Sequence, residues 1–505
     1  MKRENVFKAG AISLVGSSFS AASALLVAVV VGRSLGTGGT GLFFQAVAVF
    51  AILTAVLMLG TSSAVIWALS RQRASGRVGG ESRILTVALV PVLVVSLVAG
   101  FVLHVAAQPI AGFLSGARAD SLEDLLRLLS WFLPLSAVMG VLHTAVRVQR
   151  GVISFSLLQD VAVPVSRLAG VSVAAAAGAG TYLTVAYWVA SVPLWLLVTI
   201  GLLVRPVLSD LRSTRMQGGP PSDLGAAQFW RYSAPRAVGV AIEFGLDWVD
   251  VLVVAALRSP AEAGVYAVAS RCVQAGRVVD RAVRVAAAPT ISWHLARGER
   301  VEASELHLGI TRVAVLISWP YYLTLAVMGP AVLGLFGSGF RQGAFVVGLL
   351  GVVMMVVVSA GMLQSILLMG GKSTWQVYNK SAALVLSVVG NLVLVPIFGI
   401  TGAALTWAVV VCADTAIASW LVHWRMGVHL APHRLVRAGL VPVLVFGLGG
   451  WLIRLALGTS LFDLLVYLLV LAPTYSAALY VLRERLELTA TWQSVKAKAP
   501  QPVGR

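Results

Sequence analysis

The chain is 505 residues long, 58% of its residues are apolar, and only 11% carry a formal charge. A soluble protein carries about twice that charged fraction, so the composition excludes a soluble globular protein and makes the bilayer the solvent for most of the chain. The net charge of +18 indicates basic cytoplasmic loops in such a protein, and we expect no nucleic-acid partner. The two cysteines, Cys272 and Cys412, lie in apolar runs and leave no disulfide framework and no metal pattern.

Apolar runs long enough to cross a bilayer follow one another along the chain. The first comes after a basic start and is too long for a signal peptide, so we expect an uncleaved span. The pattern predicts about fourteen transmembrane helices of roughly 20 residues or more. They lie at 8–32, 41–68, 84–106, 125–147, 152–176, 182–204, 232–257, 263–283, 311–333, 343–369, 375–397, 402–424, 436–456 and 463–482.

Lysine and arginine are distributed unequally between the loops on the two sides of the membrane. With the N-terminus inside, most of them fall in inner loops, and the outer loops contain only Arg33, Arg118, Arg127, Arg258, Arg341 and Arg454. This asymmetry predicts a multi-pass protein with both termini in the cytoplasm and an even number of spans. We expect residues 484–505 to form a basic cytoplasmic tail.

The sequence contains an internal repeat. Motifs of the first six predicted spans return in the same order in the next six: Arg33-Ser34 and Gly41 as Arg258-Ser259 and Gly264, Arg83 and Pro91 as Arg312 and Pro320, and Gly151, Gln159 and Gly170 as Gly371, Asn379 and Gly390. Because each unit has six spans, both enter the membrane from the same side, as a parallel repeat. We predict an N-lobe at 1–206, a cytoplasmic linker at 207–227, a C-lobe at 228–430 and two further spans at 431–483.

The seventh and eighth predicted spans carry an unusual number of charges. Glu243, Asp247 and Asp250 are spaced i, i+4 and i+7 and therefore share one helix face. In a hairpin between the two spans, Glu243 reaches the depth of Arg277, and the two aspartates reach that of Arg271. Such pairs either hold the helices together or bind a coupling ion, and the spacing leaves both interpretations open.

The inner end of this hairpin is net basic. Arg236, Arg277, Arg281 and Arg284, with Arg167 of the fifth span, outnumber the nearby Asp280 and Glu243. Arginine offers bidentate donors to phosphate oxygens, so this excess predicts a site for a pyrophosphate-bearing substrate. Arg281 and Arg284 have an alternative, which is to snorkel to the inner interface. We predict no catalytic residue and no metal ligand.

Other charged residues within the spans are weaker signals. Asp160 and Lys380 fall near the cytoplasmic ends of their spans, where an interfacial position is expected. Asp414 falls in the middle of the twelfth span. A carboxylate there is protonated, hydrogen-bonded or part of an ion-coupling site, and we expect a structural role.

The first two spans contain a recognisable pattern. Residues 32–36 read GRSLG, residues 39–43 read GTGLF, and residues 59–64 read LGTSSA, followed by Arg71. This resembles the start of the polysaccharide (Wzx-type) flippases in the multidrug/oligosaccharidyl-lipid/polysaccharide (MOP) exporter superfamily. The resemblance implies an all-α integral membrane fold with two parallel six-helix repeats around a central cavity plus two C-terminal helices.

The resemblance also implies a function. A flippase of this branch moves undecaprenyl-pyrophosphate-linked oligosaccharides across the bacterial cytoplasmic membrane by alternating access, and it needs no cofactor. Its partners would be the lipid-linked glycan, the bilayer, a polysaccharide polymerase and glycosyltransferases. On this view the arginines hold the diphosphate, and one of the acids binds a proton or a sodium ion.

Three alternatives stay open. A lipid II flippase of peptidoglycan synthesis shares the architecture, and a cation-coupled MATE-like drug exporter does too, although an exporter of cations should have an acid-rich cavity. A membrane glycan polymerase or ligase is an enzyme and needs a catalytic loop outside the membrane. The longest outer loop, 107–124, has no histidine and no arrangement of acids that resembles a site. We therefore expect a transporter and not an enzyme.

Overall fold

The structure is a computed structural model that describes residues 3–74, 80–217, 225–280, 290–291, 293–294, 297–363, 366–367, 373–425 and 435–486. Every regular element among these residues is helical. Hydrocarbon offers no partner to backbone N–H and C=O groups, so the apolar runs fold as helices that satisfy those groups internally. By internal contacts the chain divides into two compact units, Met1–Gly264 and Val265–Arg505.

The helices of the first unit are α1 (Arg3–Leu57), α2 (Thr61–Ala74), α3 (Glu81–Val105), α4 (Ala107–Ser115), α5 (Ala119–Gln149), α6 (Val152–Ser156), α7 (Val163–Ala176), α8 (Thr181–Val189), α9 (Ser191–Gln217), α10 (Ala226–Leu257) and α11 (Pro260–Ala275). A π-helical turn, Leu157–Ala162, joins α6 to α7. The helix α9 continues into the segment predicted as a linker, and α11 crosses the division between the two units.

The helices of the second unit are α12 (Arg300–Gly334), α13 (Ala344–Ala360), α14 (Ser373–Phe398), α15 (Ile400–Trp420), α16 (Val436–Pro442), α17 (Gly450–Leu457) and α18 (Leu461–Val481). π-helical turns follow α15, at Leu421–Arg425, and join α16 to α17, at Val443–Gly449.

Eleven segments of the described chain are long and apolar enough to cross a membrane. The first, Ile12–Ala74, covers two predicted spans, because α1 runs on through a bend at Gly36, where φ is +64°. The seventh and eighth predicted spans are not among the eleven, because α10 is charged and α11 has only 16 residues. Each of the other predicted spans overlaps one of the eleven, and the all-α membrane fold is confirmed.

Matching positions of the repeat make matching contacts within each unit. A Cβ on Gly170 of α7 would lie 2.7 Å from the carbonyl oxygen of Tyr187, at the start of the next span. In the second unit, a Cβ on Gly390 of α14 would lie 2.7 Å from Cγ2 of Thr406 on α15. The fifth predicted span and its repeat counterpart, the eleventh, therefore each pack closely against the span that follows. A duplicated sequence predicts this arrangement.

The repeat partners Gly41 and Gly264 face each other inside the first unit. A Cβ on Gly264 would lie 2.8 Å from the backbone nitrogen of Gly41, and a Cβ on Gly41 would overlap the carbonyl oxygen of Pro260. Backbone atoms make this contact on both sides, so no side-chain movement could make room for a residue larger than glycine. The absence of side chains at both positions lets α1 and α11 touch.

Gly41→Ala tests this close approach. We expect the substitution to lower the melting temperature of the purified protein by several degrees, because overpacking costs about 1–3 kcal/mol. The matched control is Gly201→Ala in α9, where nothing lies within 4 Å of the added Cβ. Alanine favours a helix over glycine, so the control should melt at or slightly above the wild-type temperature. Identical melting of wild type and Gly41→Ala would contradict the contact.

Candidate functional site

The second predicted span is broken at residues 58–60, between α1 and α2. Leu59 and Gly60 both have positive φ, +51° and +71°, and the first of these values is rare for a leucine. The Leu59 carbonyl, freed from helical bonding, accepts a hydrogen bond of 2.7 Å from the Ser233 hydroxyl on α10. A Cβ on Gly60 would lie 2.7 Å from the backbone nitrogen of Ala237. The break therefore seats α2 directly against α10.

Four side chains stack where α2 and α10 meet. The rings of Trp67 and Tyr232 are nearly parallel, with centroids 4.5 Å apart and an interplanar angle of 14°. The guanidinium carbon of Arg71 lies 5.7 Å from the Trp67 ring centroid, and that of Arg236 lies 4.4 Å from the Tyr232 ring centroid. We call these four residues the Trp67–Tyr232 cluster.

The two arginines of the Trp67–Tyr232 cluster hold their charge without an acid. Arg71 and Arg236 are both exposed, and neither forms an ion pair with any residue that the structure describes. Contact with an aromatic face orients a guanidinium group. Its N–H donors lie in the plane of the guanidinium group and stay available to a ligand. The cluster therefore presents two oriented cations held by two stacked aromatic rings, which is suited to a ligand with several anionic oxygens.

Arg167 lies elsewhere in the first unit, on α7. Its guanidinium carbon lies 4.2 Å from the Trp188 ring centroid, and its Nε lies 3.4 Å from the Ser191 hydroxyl. The same region includes the buried His143, whose Nδ1 is 2.6 Å from Oε1 of Gln159 in the π-helical turn. Arg167 is therefore held by an aromatic ring and a hydroxyl, both of them neutral.

The predicted acids lie on one continuous helix. Glu243 and Asp247 of α10 are exposed, whereas Asp250 is buried. Their predicted pairing with Arg271 and Arg277 joins residues of the two units and stays a prediction.

The predicted charges of the second unit are only partly described. Nη1 of Arg271 donates to Oε1 of Gln274 at 3.0 Å. Arg277, just after α11, is exposed, and Asp280 is half-buried. Arg281 and Arg284 lie outside the described residues.

Asp414 on α15 is paired within the second unit. Its carboxylate accepts a bond of 2.9 Å from Nζ of Lys380 and one of 2.8 Å from Nδ2 of Asn379, both on α14. Lys380 is therefore bonded to this carboxylate, and its position near the cytoplasmic end of the span stays a prediction. Asp414 is hydrogen-bonded, and a structural role accounts for it. Within the described chain, no group of three or more His, Cys, Asp or Glu side chains is arranged to hold a metal ion.

Sequence analysis missed three of the four residues in the Trp67–Tyr232 cluster. A signal for them does exist, because an aromatic residue precedes an arginine by four positions in both spans, at Trp67 and Arg71 and at Tyr232 and Arg236. That spacing places ring and guanidinium side by side on a helix. The spacing does not indicate that α2, with Trp67 and Arg71, touches α10, with Tyr232 and Arg236.

Known membrane transporters have the same architecture, although no protein-family model matches the chain. The lipid II flippase MurJ, in an inward closed conformation, superposes with a TM-score of 0.72 at 10% identity, over 94% of this chain and 99% of that one. An inward-facing multidrug resistance MATE transporter of the MOP superfamily gives a TM-score of 0.62 at 17% identity, over 83% of this chain and 98% of that one. The chain has the MOP transporter fold.

The MOP fold brings together proteins with different substrates. A MOP transporter from Pyrococcus furiosus, described as having a binding pocket of reverse polarity, gives a TM-score of 0.54 at 17% identity, over 84% of this chain and 95% of that one. In sequence, the chain is 25% identical over 206 residues to the probable low-salt glycan biosynthesis flippase Agl15 of Haloferax volcanii. That match spans 39% of this chain and 42% of the relative. The fold is therefore established, and the substrate has to be argued from the site.

The pairing of Asp414 gives a testable prediction. Lys380→Met removes the cation and leaves a carboxylate that is 14% exposed without its ion partner. Breaking such a pair from one side costs about 3 kcal/mol, less where water reaches it, so we expect a clear drop in melting temperature. The double variant Lys380→Met/Asp414→Asn should recover most of that loss, because it removes both charges. An equal loss in the single and double variants would show that the pair itself is not what stabilises α14 against α15.

Proposed function

We propose that this protein is a flippase for lipid-linked oligosaccharides, which moves undecaprenyl-pyrophosphate-linked sugars across the bacterial cytoplasmic membrane by alternating access. The observation that carries the proposal is the Trp67–Tyr232 cluster, with its two exposed guanidinium groups. Arginine binds phosphate through two parallel N–H bonds, and the stacked rings hold both guanidinium groups in place. A pyrophosphate offers enough oxygens for both groups in one ligand.

The other predicted residues have roles in this proposal. Arg167, Arg277, Arg281 and Arg284 add positive charge along the route of the diphosphate. Glu243, Asp247 or Asp250 binds the proton or sodium ion that couples a gradient to the cycle, and Arg271 and Asp280 are the other charges predicted for ion coupling or ion pairing. Both termini lie in the cytoplasm, so that Arg71, near the end of α2, meets the substrate at the inner side where lipid-linked sugars are assembled.

The names of similar proteins support this choice of substrate. One is called a lipid II flippase and another a probable low-salt glycan biosynthesis flippase, so the two names refer to a lipid substrate and to glycan biosynthesis. We infer the same chemical class for this chain, with glycosyltransferases supplying the substrate and a polysaccharide polymerase using it. No cofactor is part of the proposal.

The alternatives differ in what the cluster would bind. A lipid II flippase would use the same arginines for the same pyrophosphate, and only the sugar distinguishes it. A MATE-like exporter of cationic drugs is disfavoured, because two exposed guanidinium groups that pair with no described acid repel a cation. A glycan polymerase or ligase would need a catalytic group, and the cluster provides two cations and two rings but no acid.

A flipping assay tests the proposal. The probe is an undecaprenyl-pyrophosphate-linked trisaccharide with a fluorophore on the sugar, in liposomes that contain the purified protein, and an impermeant quencher reports its transfer. We expect Arg71→Ala and Arg236→Ala each to slow flipping by about tenfold or more, since a charged hydrogen bond contributes about 1.5–3 kcal/mol. Arg167→Ala and Arg277→Ala should also slow it. The flipping rate of Arg236→Lys should lie between those of wild type and Arg236→Ala, because lysine keeps the charge but cannot form two parallel hydrogen bonds.

The matched control is Arg212→Ala, which removes another exposed arginine of the first unit, on α9. It should flip at the wild-type rate. Parallel assays with lipid II and with a lipophilic cationic dye separate the alternatives. Unchanged flipping by the double variant Arg71→Ala/Arg236→Ala would overturn the assignment of the cluster, and preferred flipping of lipid II would replace the proposed substrate with that one.

A further inference from the structure

The C-terminal end of α2 is tied to two other helices of the first unit. Nε of Arg73 donates to Oε1 of Glu81, the first residue of α3, at 2.8 Å, and Nη2 lies 3.4 Å from Oε2. Nη1 of Arg73 donates to the carbonyl of Val148, in the last turn of α5. Nε2 of Gln149, the last residue of α5, donates to Oε2 of Glu81 at 3.2 Å. We call these four residues the Glu81 network.

Each charge of the Glu81 network lies at a helix end that suits it. The first turn of a helix leaves N–H groups without partners and favours an anion, whereas the last turn leaves carbonyls without partners and favours a cation. Glu81 opens α3, and Arg73 donates to a carbonyl at the end of α5. Two helix ends therefore support the ion pair, which alone would contribute little because Arg73 is exposed.

Arg73 and Arg71 leave α2 in opposite directions. They are two positions apart, which separates their side chains by about 200° around a helix. Trp67 is four positions before Arg71, so the two share a face, and this face meets Tyr232 of α10. Holding Arg73 at α3 and α5 therefore sets the rotation of α2 that turns Trp67 and Arg71 toward Tyr232.

The Glu81 network is the second of two anchors on α2. At the start of the helix, the Leu59 carbonyl binds Ser233, and Gly60 lies against the backbone of α10. This first anchor fixes where α2 begins but leaves rotation about the helix axis unopposed. Because α2 has 14 residues, the second anchor lies about 20 Å further along and opposes that rotation.

We propose that Glu81 is a positioning residue of the transport site. It binds Arg73, and through Arg73 it holds α2 in the rotation that directs Arg71 toward the ligand. This inference rests on the proposed function, because it gives Glu81 a role in diphosphate binding by the Trp67–Tyr232 cluster. Glu81 makes no contact with the ligand itself.

Equilibrium binding of undecaprenyl pyrophosphate to the purified full-length protein tests this role. Glu81→Gln removes the charge at almost unchanged size. We expect it to weaken binding by about fivefold, because Arg71 then spends only part of its time in the binding orientation. Arg73→Gln breaks the same pair from the other side and should weaken binding equally, which keeps the test decisive if Glu81→Gln does not fold. Arg73→Lys keeps the charge and should bind more tightly than Arg73→Gln.

The matched control is Glu123→Gln, which breaks another Arg–Glu pair of the first unit. The side chains of that pair are 49% exposed for Arg127 and 15% for Glu123, against 44% for Arg73 and 18% for Glu81. The control therefore removes the same chemistry at the same exposure but does not touch α2. It should bind undecaprenyl pyrophosphate as wild type does.

A double variant separates positioning from a merely structural role. If Glu81 acts through Arg71, then Arg71→Ala/Glu81→Gln should bind no more weakly than Arg71→Ala alone, whereas independent losses would multiply. Hydrogen exchange measured without ligand reports the anchoring by itself. The peptide that covers α2 should exchange faster in Glu81→Gln than in wild type or Glu123→Gln.

Three results would overturn the proposal: wild-type affinity in Glu81→Gln, losses that multiply in the double variant, or unchanged exchange of α2. Unchanged affinity in Arg71→Ala is a different outcome. It would overturn the role of the Trp67–Tyr232 cluster itself, so failure of the proposed function is distinguishable from failure of the role given to Glu81.

Discussion

The hydrogen bond from the Ser233 hydroxyl to the Leu59 carbonyl is the contact on which the site in the first unit depends. Inside a bilayer, a helix break is tolerated only where the protein satisfies the freed backbone groups. Ser233 does this for one carbonyl, and Gly60 removes the Cβ that would hold the two helices apart. Because α2 is turned and seated on α10, Trp67 meets Tyr232 in a stacked pair. An unbroken helix would continue along α1 and carry Trp67 past this partner.

The same constraint distinguishes charges that have a partner in the structure from the residues proposed to bind substrate. Asp414 has an ammonium and an amide group as partners within its own unit, and this pairing explains why a carboxylate survives in the middle of a span. Arg71 and Arg236 form no ion pair with a described residue, and they keep their orientation through aromatic contacts alone. Exposed cations of this second kind are the ones for which a ligand is the simplest physical explanation.

Much of the architecture is predictable from the sequence, because hydropathy and repeated motifs are local signals. The apolar runs predict where the helices lie. The repeat that pairs Gly170 with Gly390 predicts a close helix contact at each glycine, and both units contain that contact. The site was harder to predict for a physical reason. Leucine rarely adopts positive φ, so the break at Leu59 leaves no recognisable signal, and without it Trp67 and Tyr232 belong to unrelated helices. The pairing of Lys380 with Asp414 was not predicted either, since it depends on how α14 and α15 pack side by side.

The central claim is that the Trp67–Tyr232 cluster recognises a diphosphate. Equilibrium binding of undecaprenyl pyrophosphate, undecaprenyl monophosphate and undecaprenol to the purified protein tests it most directly, because the three ligands differ only in the headgroup. The account predicts that affinity falls in that order, by about tenfold at each step, and that the differences disappear in Arg71→Ala/Arg236→Ala. Equal affinity for all three ligands, or an undiminished preference for the pyrophosphate in the double variant, would contradict it.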